Sequence, residues 1–229
     1  MIVSINQPAY LPWLGYFHRI AVSDLHIVLD HVQFEKNSFT NRNRLRAAGG
    51  PVWLSVPVRT SGRFGALPIA DLEIADAGWR RKHWDTMRFA YAKAPFFAAH
   101  ERFFRELYAR EWPRLAPLNE AITGELCAAF DIATPRVRSS DLGVGGSKGE
   151  LVLNLCRAVG ATTYLSGPLG RDYLDPEAFA AAGIVLAFHN YEHPEYRQVL
   201  PGFEPFMAAP DLLFNHGPDS PRILRGKFL

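Results

Sequence analysis

Cysteine is scarce in this chain: two in 229 residues, Cys127 and Cys156, both inside apolar stretches of helical spacing. That excludes a disulfide framework as the source of stability and makes a reducing cytoplasm the expected home. Charge of one sign is also lacking, because 25 Lys and Arg face 23 Asp and Glu, for a net of +2. Such a balance gives no electrostatic footprint for nucleic acid or an anionic membrane, so neither is expected as a partner. No apolar run reaches the roughly 18 residues of a membrane span. The opening MIVSINQP has neither the basic n-region nor the apolar h-region of a signal peptide. Internal repeats and low-complexity tracts are absent. No Cys/His spacing argues for structural zinc, and no metal or other cofactor is expected.

What the chain does have is a core. Hydrophobic residues make up 48% and aromatics 13%, enough for one sizeable α/β unit. Short apolar runs at 1–5, 25–29, 52–58, 68–74, 136–140, 161–165 and 184–188 read as strands. Residues 13–22, 150–159 and 176–182 read as helices, the last two ended by Gly160 and Gly183. From Trp79 to Phe130 the apolar residues recur at helical spacing, punctuated by Pro95, Pro113 and Pro117, and predict three or four helices. The polar stretch 35–50 and the Gly/Arg/Ser stretch 60–66 read as loops. The last forty residues read as irregular, with one short helix near 210–214.

The expected fold is therefore α/β: a Rossmann-like, mostly parallel sheet with an α-helical insertion. Residues 1–78 form an N-terminal part with ligand loops, 79–132 the insertion, and 133–229 a part completing the same sheet. The insertion is expected to cover part of the ligand cleft.

Residues 4–44 carry the densest functional signal. Two strands end in polar groups there, and ligands of open parallel sheets bind outside strand C-termini. Asn6, Gln7, Tyr10, Trp13 and Tyr16 follow the first strand, offering amides and aromatic faces for a sugar or base. Asp30, Gln33 and Lys36 follow the second. Asn41, Arg42 and Asn43 add amides and a guanidinium fork suited to phosphate or carboxylate. Ser166 and Tyr173 flank a later strand end. His83, Asp30 and Gln33 are the candidates for catalysis, His83 because imidazole titrates near neutral pH. The run Gly145-Gly146-Ser147-Lys148-Gly149 lacks the order of a phosphate loop, yet it precedes a helix and suits an anion at that helix's N-terminus. Cys156, mid-helix, reads as a small core hydrophobe.

The segments QPAYLPWLGYF, SDLHIVLDHVQF, NRNR, WLSVPV, YAKAPFF, TYLSGPLGRDYLD, HPEY and DLLFNHG occur in that order. Together they resemble the WbqC-like protein family over nearly the whole chain. The chain departs from the family pattern at 143–149, which is richer in glycine, and at Ala208-Ala209-Pro210, where a serine-containing turn is usual. The resemblance implies a place in bacterial polysaccharide, O-antigen or natural-product assembly, working on a sugar nucleotide or on an amino or acyl group attached to one. The entry Pro12-Trp13-Leu14-Gly15-Tyr16, then Gln33-Phe34 and Tyr164 to Tyr173, is also similar to nucleotidylyltransferase-like proteins. Both histidines of their H-x-G-H motif are missing here, which disfavours adenylation.

The expected activity is transfer of an acyl or aminoacyl group to an amine, such as an amino sugar. The expected partner is a small-molecule substrate, a sugar nucleotide or a carrier-protein thioester. Hydrolysis of a thioester or amide is one alternative; non-catalytic ligand binding in a glycan pathway is another. Nothing in the residues specifies an oligomeric state.

Overall fold

The computed structural model describes residues 1–62, 65, 67–76 and 78–226. Strand β1 (Ile2–Asn6) leads into helix α1 (Leu14–Ala21) and strand β2 (Leu25–Val28). Pro12 and Trp13 start α1, with Trp13 as an extended N-cap. Gly15 then lets the indole lie back across the first turn, where any β-carbon would meet the ring. Two hydroxyls accept the task of ending the helix: Ser23 Oγ donates to the Arg19 carbonyl at 2.7 Å and Thr134 Oγ1 to that of Ile20 at 2.9 Å. These bonds satisfy carbonyls that a helix end leaves without partners.

A hairpin of β3 (Arg42–Ala47) and β4 (Gly50–Ser55) follows, then α2 (Gly78–Tyr91), α3 (Phe97–Ala109) and α4 (Leu115–Ala129). The chain returns to the sheet with β5 (Arg136–Arg138), α5 (Lys148–Ala158), β6 (Thr163–Ser166), α6 (Pro176–Ala181) and β7 (Val185–Phe188). It closes with α7 (Pro210–His216) and α8 (Ser220–Arg225).

Five strands form one sheet in the order β5-β2-β1-β6-β7, with every neighbouring pair parallel. The expected Rossmann-like architecture is what the chain adopts. From β1 the connections run outward through β2 to β5, then cross back to β6 and on to β7. The direction of winding thus reverses between β1 and β6.

One sheet face packs Val3, Ile5 and Tyr164 against Leu151, Leu155 and Cys156 of α5 and Phe179 of α6. The larger core joins Phe17 and Ile20 of α1 to α2–α4, the hairpin, α7 and α8. Phe17 and Phe130 meet there with ring centroids 5.4 Å apart, and truncating either buried ring to alanine costs about 3–5 kcal/mol. Among the described residues no helix is long and apolar enough to cross a membrane.

Three expectations change. Residues 35–50 are not one loop, because NRNR opens β3. Its inward positions Asn43 and Leu45 are buried, while arginines occupy the alternate ones, so a polar surface masked a period-two strand. That strand and β4 stand apart from the parallel sheet as an antiparallel pair. Residues 68–74 form a short 3-10 turn at Ile69–Asp71 with isolated bridges instead of a strand. Of the expected loop 60–66, residues 63, 64 and 66 lie outside the described residues. The helical insertion consists of α2, α3 and α4, but it packs on the α1 side of the sheet and no described residue of 79–130 borders the cleft between β1 and β6. It is therefore not the lid of that cleft.

Candidate functional site

At the winding reversal, the C-terminal ends of β1 and β6 splay over a cleft of about 730 Å³. Such a switch point is where open α/β sheets bind ligands. Asn6, the last residue of β1, forms its floor together with Ser166, the last residue of β6. Asn6 is only 9% exposed, and its Nδ2 is buried without a hydrogen-bond partner among the described residues. Gln7 follows, half-buried on the same wall. Trp13 closes one side, held from behind by His193, stacked at 6.4 Å, and edge-on by Tyr191 and Phe206.

The turn SGPLGRDY is built by two close approaches. A β-carbon on Gly170 would collide with Ser166 Oγ, and one on Gly167 would collide with Arg19 Nη1. Glycine at both positions lets the turn pass close beside a hydroxyl and a guanidinium. Ser166 Oγ donates to the Gly167 carbonyl at 3.1 Å, so it is engaged locally and not aimed as a nucleophile.

Arg19 is the residue that sequence reasoning missed. It lies on α1, largely buried, and reaches the cleft beside Tyr164, Tyr173 and Gly167. Among the described residues it makes no ion pair, and its Nε is buried without a partner. Burial lowers its pKa, with Tyr164, Tyr16 and Tyr173 acting in the opposite direction; a guanidinium stays charged nonetheless. The signal available was a single arginine, beside His18, in the mainly apolar helix LGYFHRIA that follows the first strand.

Across the cleft stands the N-terminus of α5, whose Lys148, Leu151 and Val152 border it. The N-cap Ser147 makes no side-chain capping bond, so the first amides of the helix have no side-chain acceptor of their own. This end rests on the turn after β6, since a β-carbon on Gly149 would come 2.8 Å from the Tyr173 carbonyl. The expected anion-suited helix start thus faces the same cleft as Arg19.

Of the sequence candidates, Asn6, Gln7, Trp13, Gln33, Ser166 and Tyr173 border this cleft. Burial raises the Tyr173 phenol and Arg19 opposes that rise. Gln33 has both ends of its amide engaged: Nε2 donates to the Phe34 carbonyl at 2.9 Å and Oε1 accepts from Leu67 N at 2.8 Å. It ties two loops together. Lys36 lies in a neighbouring hollow with Glu35, Thr60 and Leu67.

The others sit elsewhere. Asp30 is 2% exposed and accepts from Ser139 Oγ, Ser140 N and Ser140 Oγ at 2.8–3.0 Å, pinning the end of β2 to that of β5. Tyr16 is buried beside it on a separate cavity of about 50 Å³. His83 is buried within the helical layer, its Nδ1 2.8 Å from the Tyr10 hydroxyl, which is 2.7 Å from that of Tyr108. Burial, then Lys82, depresses His83 to about 4. Neither His83 nor Tyr10 borders the cleft. Asn41 donates to the Val56 carbonyl and Asn43 to that of Leu11, so both are hairpin struts. Arg42 bonds Asn37 and lies over the exposed Trp53 ring, 4.6 Å from its centre. The five residues Gln7, Asp30, Gln33, Asn41 and Arg42 therefore do not share one site.

His189 and His193 stand four apart, a spacing that pairs imidazoles on a helix. Their segment is not helical. His189 Nε2 lies 2.8 Å from His18 Nδ1, and His193 stacks on Trp13. No group of three metal-ligating side chains forms among the described residues.

The chain is 36% identical to an uncharacterized protein of Mycobacterium tuberculosis (strain ATCC 25618 / H37Rv), Rv1507c, over 225 residues covering 97% of each chain. No solved structure matches it. The model of the WbqC-like protein family matches residues 7–223. That span holds α1 with Arg19, the hairpin, the helical layer, the start of α5 and both glycines of the turn after β6, and the chain belongs to the WbqC-like protein family.

Proposed function

We propose that this chain is a cytoplasmic enzyme that binds an anionic small molecule at the switch-point cleft. It transfers an acyl or aminoacyl group to an amine, such as that of an amino sugar, in bacterial polysaccharide or natural-product assembly. The observation that carries the reading is the meeting on one cleft of a guanidinium, Arg19, and a buried amide, Asn6, that have no ion-pair or amide-donor partner among the described residues. A buried charge and a buried amide without partners are each costly, and a polar anionic ligand satisfies both.

Direct transfer fits better than a covalent acyl-enzyme. Ser166 is turned to its own turn, and Cys156 is core-packed, its thiol pushed up to about 12 by burial. In direct transfer the amine nitrogen attacks the thioester carbonyl, a C–N bond forms and the C–S bond breaks. The sulfur leaves as thiolate and takes up, by way of solvent, the proton that the amine gives up. Asn6 and Gln7 supply amide donors for orienting the substrate and for the developing oxyanion.

A second reading, non-catalytic binding, is favoured by one observation. Glu35, at the rim, is the single titratable base with a carboxylate or imidazole that borders the cleft among the described residues. Incubating the protein with acyl thioesters and nucleotide-linked amino sugars, and weighing the products by mass spectrometry, tests the two. An N-acylated sugar supports transfer; saturable binding without product supports the binding role.

A further inference from the structure

We propose that the end of the cleft between Arg19, Asn6 and the N-terminus of α5 is a phosphate subsite, which takes the phosphate or pyrophosphate of the substrate. The inference rests on the reading of this cleft as the ligand site, and is independent of which reaction follows there.

Three independent features point the same way. Helix α5 spans eleven residues, long enough for its dipole and free first-turn amides to favour an anion at the N-terminus. Its N-cap side chain leaves those amides available. Arg19 presents a guanidinium with no carboxylate partner among the described residues, beside a glycine that removes the obstacle to close approach. Asn6 adds a donor that is nine-tenths buried and has no acceptor among the described residues. Lys148, exposed at the mouth, adds a further positive charge.

The charge count decides between anions. Two cations and a helix N-terminus outweigh the one rim carboxylate, Glu35. With about +0.5 for the helix end the balance is about +1.5: a carboxylate ligand removes one of these charges, whereas a phosphate monoester, at about −1.5 to −2, removes all of it. Two sources carry the chemistry: a nucleoside diphosphate and the phosphate of a pantetheine arm. With a volume near 730 Å³ the cleft has room for the remainder of either.

The test is calorimetry on the full chain with inorganic pyrophosphate, UDP, pantetheine 4′-phosphate and acetate. Arg19→Gln, Lys148→Ala and Arg102→Gln are compared with the natural chain, Arg102 being an exposed residue of α3 bonded to Glu106. The expected result is saturable pyrophosphate binding, weakened at least about tenfold by Arg19→Gln, or roughly 1.4 kcal/mol. Lys148→Ala, at an exposed position, should weaken it less, and Arg102→Gln should leave it unchanged. The tighter of UDP and pantetheine 4′-phosphate identifies the source.

Pyrophosphate affinity that ignores both Arg19→Gln and Lys148→Ala overturns the subsite, as does acetate binding equal to pyrophosphate. No phosphate binding at millimolar concentration, with an acyl thioester or amine still bound and that binding lost in Gln7→Ala, overturns the subsite and leaves the proposed function standing. The reverse pattern, phosphate bound through Arg19 but no product from any donor and acceptor pair, sustains the subsite and refutes the transfer reaction. If Arg19→Gln fails to fold, Arg19→Lys and Lys148→Ala carry the comparison.

Discussion

The guanidinium of Arg19 on α1 lies directly over Gly167, in space that the β-carbon of any other residue at 167 would need. Two segments almost 150 positions apart thereby build one wall of the cleft. Gly167 has an ordinary φ of −71°, so its glycine answers a close approach and not a turn requirement. Gly167→Ala should displace the far end of a flexible side chain while sparing the backbone. Stability should fall by no more than about 1 kcal/mol, while pyrophosphate affinity falls as far as in Arg19→Gln. Calorimetry on the single and double variants checks it: the two substitutions should be strongly non-additive in binding.

Arg19→Met removes a largely buried charge that has no ion-pair partner among the described residues. Keeping such an ion from water costs energy that the neighbouring phenols of Tyr164, Tyr16 and Tyr173 offset only in part. Urea denaturation without ligand should show stability unchanged or raised by about 1 kcal/mol. A loss above about 2 kcal/mol would mean that Arg19 supports the fold.

Asp30 behaves oppositely. Its carboxylate accepts three hydrogen bonds from Ser139 and Ser140, and its own amide is 3.1 Å from Ser139 Oγ. Asp30→Ala should cost about 2–4 kcal/mol, because it leaves buried donors unsatisfied. Ligand affinity per folded molecule should stay unchanged. Loss of affinity in a chain that still melts normally would return Asp30 to the binding site.

His83 supplies a pH dependence. Burial holds its folded pKa at about 4, against an ordinary 6.5. The unfolded chain therefore binds more protons between those values, and stability is complete above pH 6.5 and lost as pH falls from 6.5 towards 4. The depression corresponds to about 3 kcal/mol at most. His26, depressed to about 3 by burial and by Arg19 and Arg136, adds loss of the same sign. Denaturation at pH 7.5, 6 and 5 should show the decline, and His83→Gln should flatten it. A decline of equal slope in the variant would assign the effect to other groups.

The parallel sheet was legible because its signals are local. Val3 and Ile5, Ile27, and Tyr164 sit in short apolar runs whose burial on both faces leaves little alternative to central strands. The three-helix layer was equally plain from its 3.6-residue spacing. The hairpin was not, because β3 alternates half-buried arginines with buried Asn43 and Leu45 and so lacks an apolar period-two signal.

The cleft divides in the same way. Asn6, Gln7, Ser166 and Tyr173 follow from their place at strand ends, which sequence alone determines once the strands are known. Asp30, Asn41 and Asn43 bear the same polar chemistry, yet each is tied to its own chain, at Ser140, Val56 and Leu11, although Asn41 Oδ1 has no partner among the described residues. Arg19 has no ion-pair partner among them. Whether a polar side chain ends satisfied by its own chain or left for a ligand depends on what packs against it from distant segments. Strand order brings Gly167 over Arg19 and the start of α5 across from it, and that pairing is a property of the tertiary structure alone.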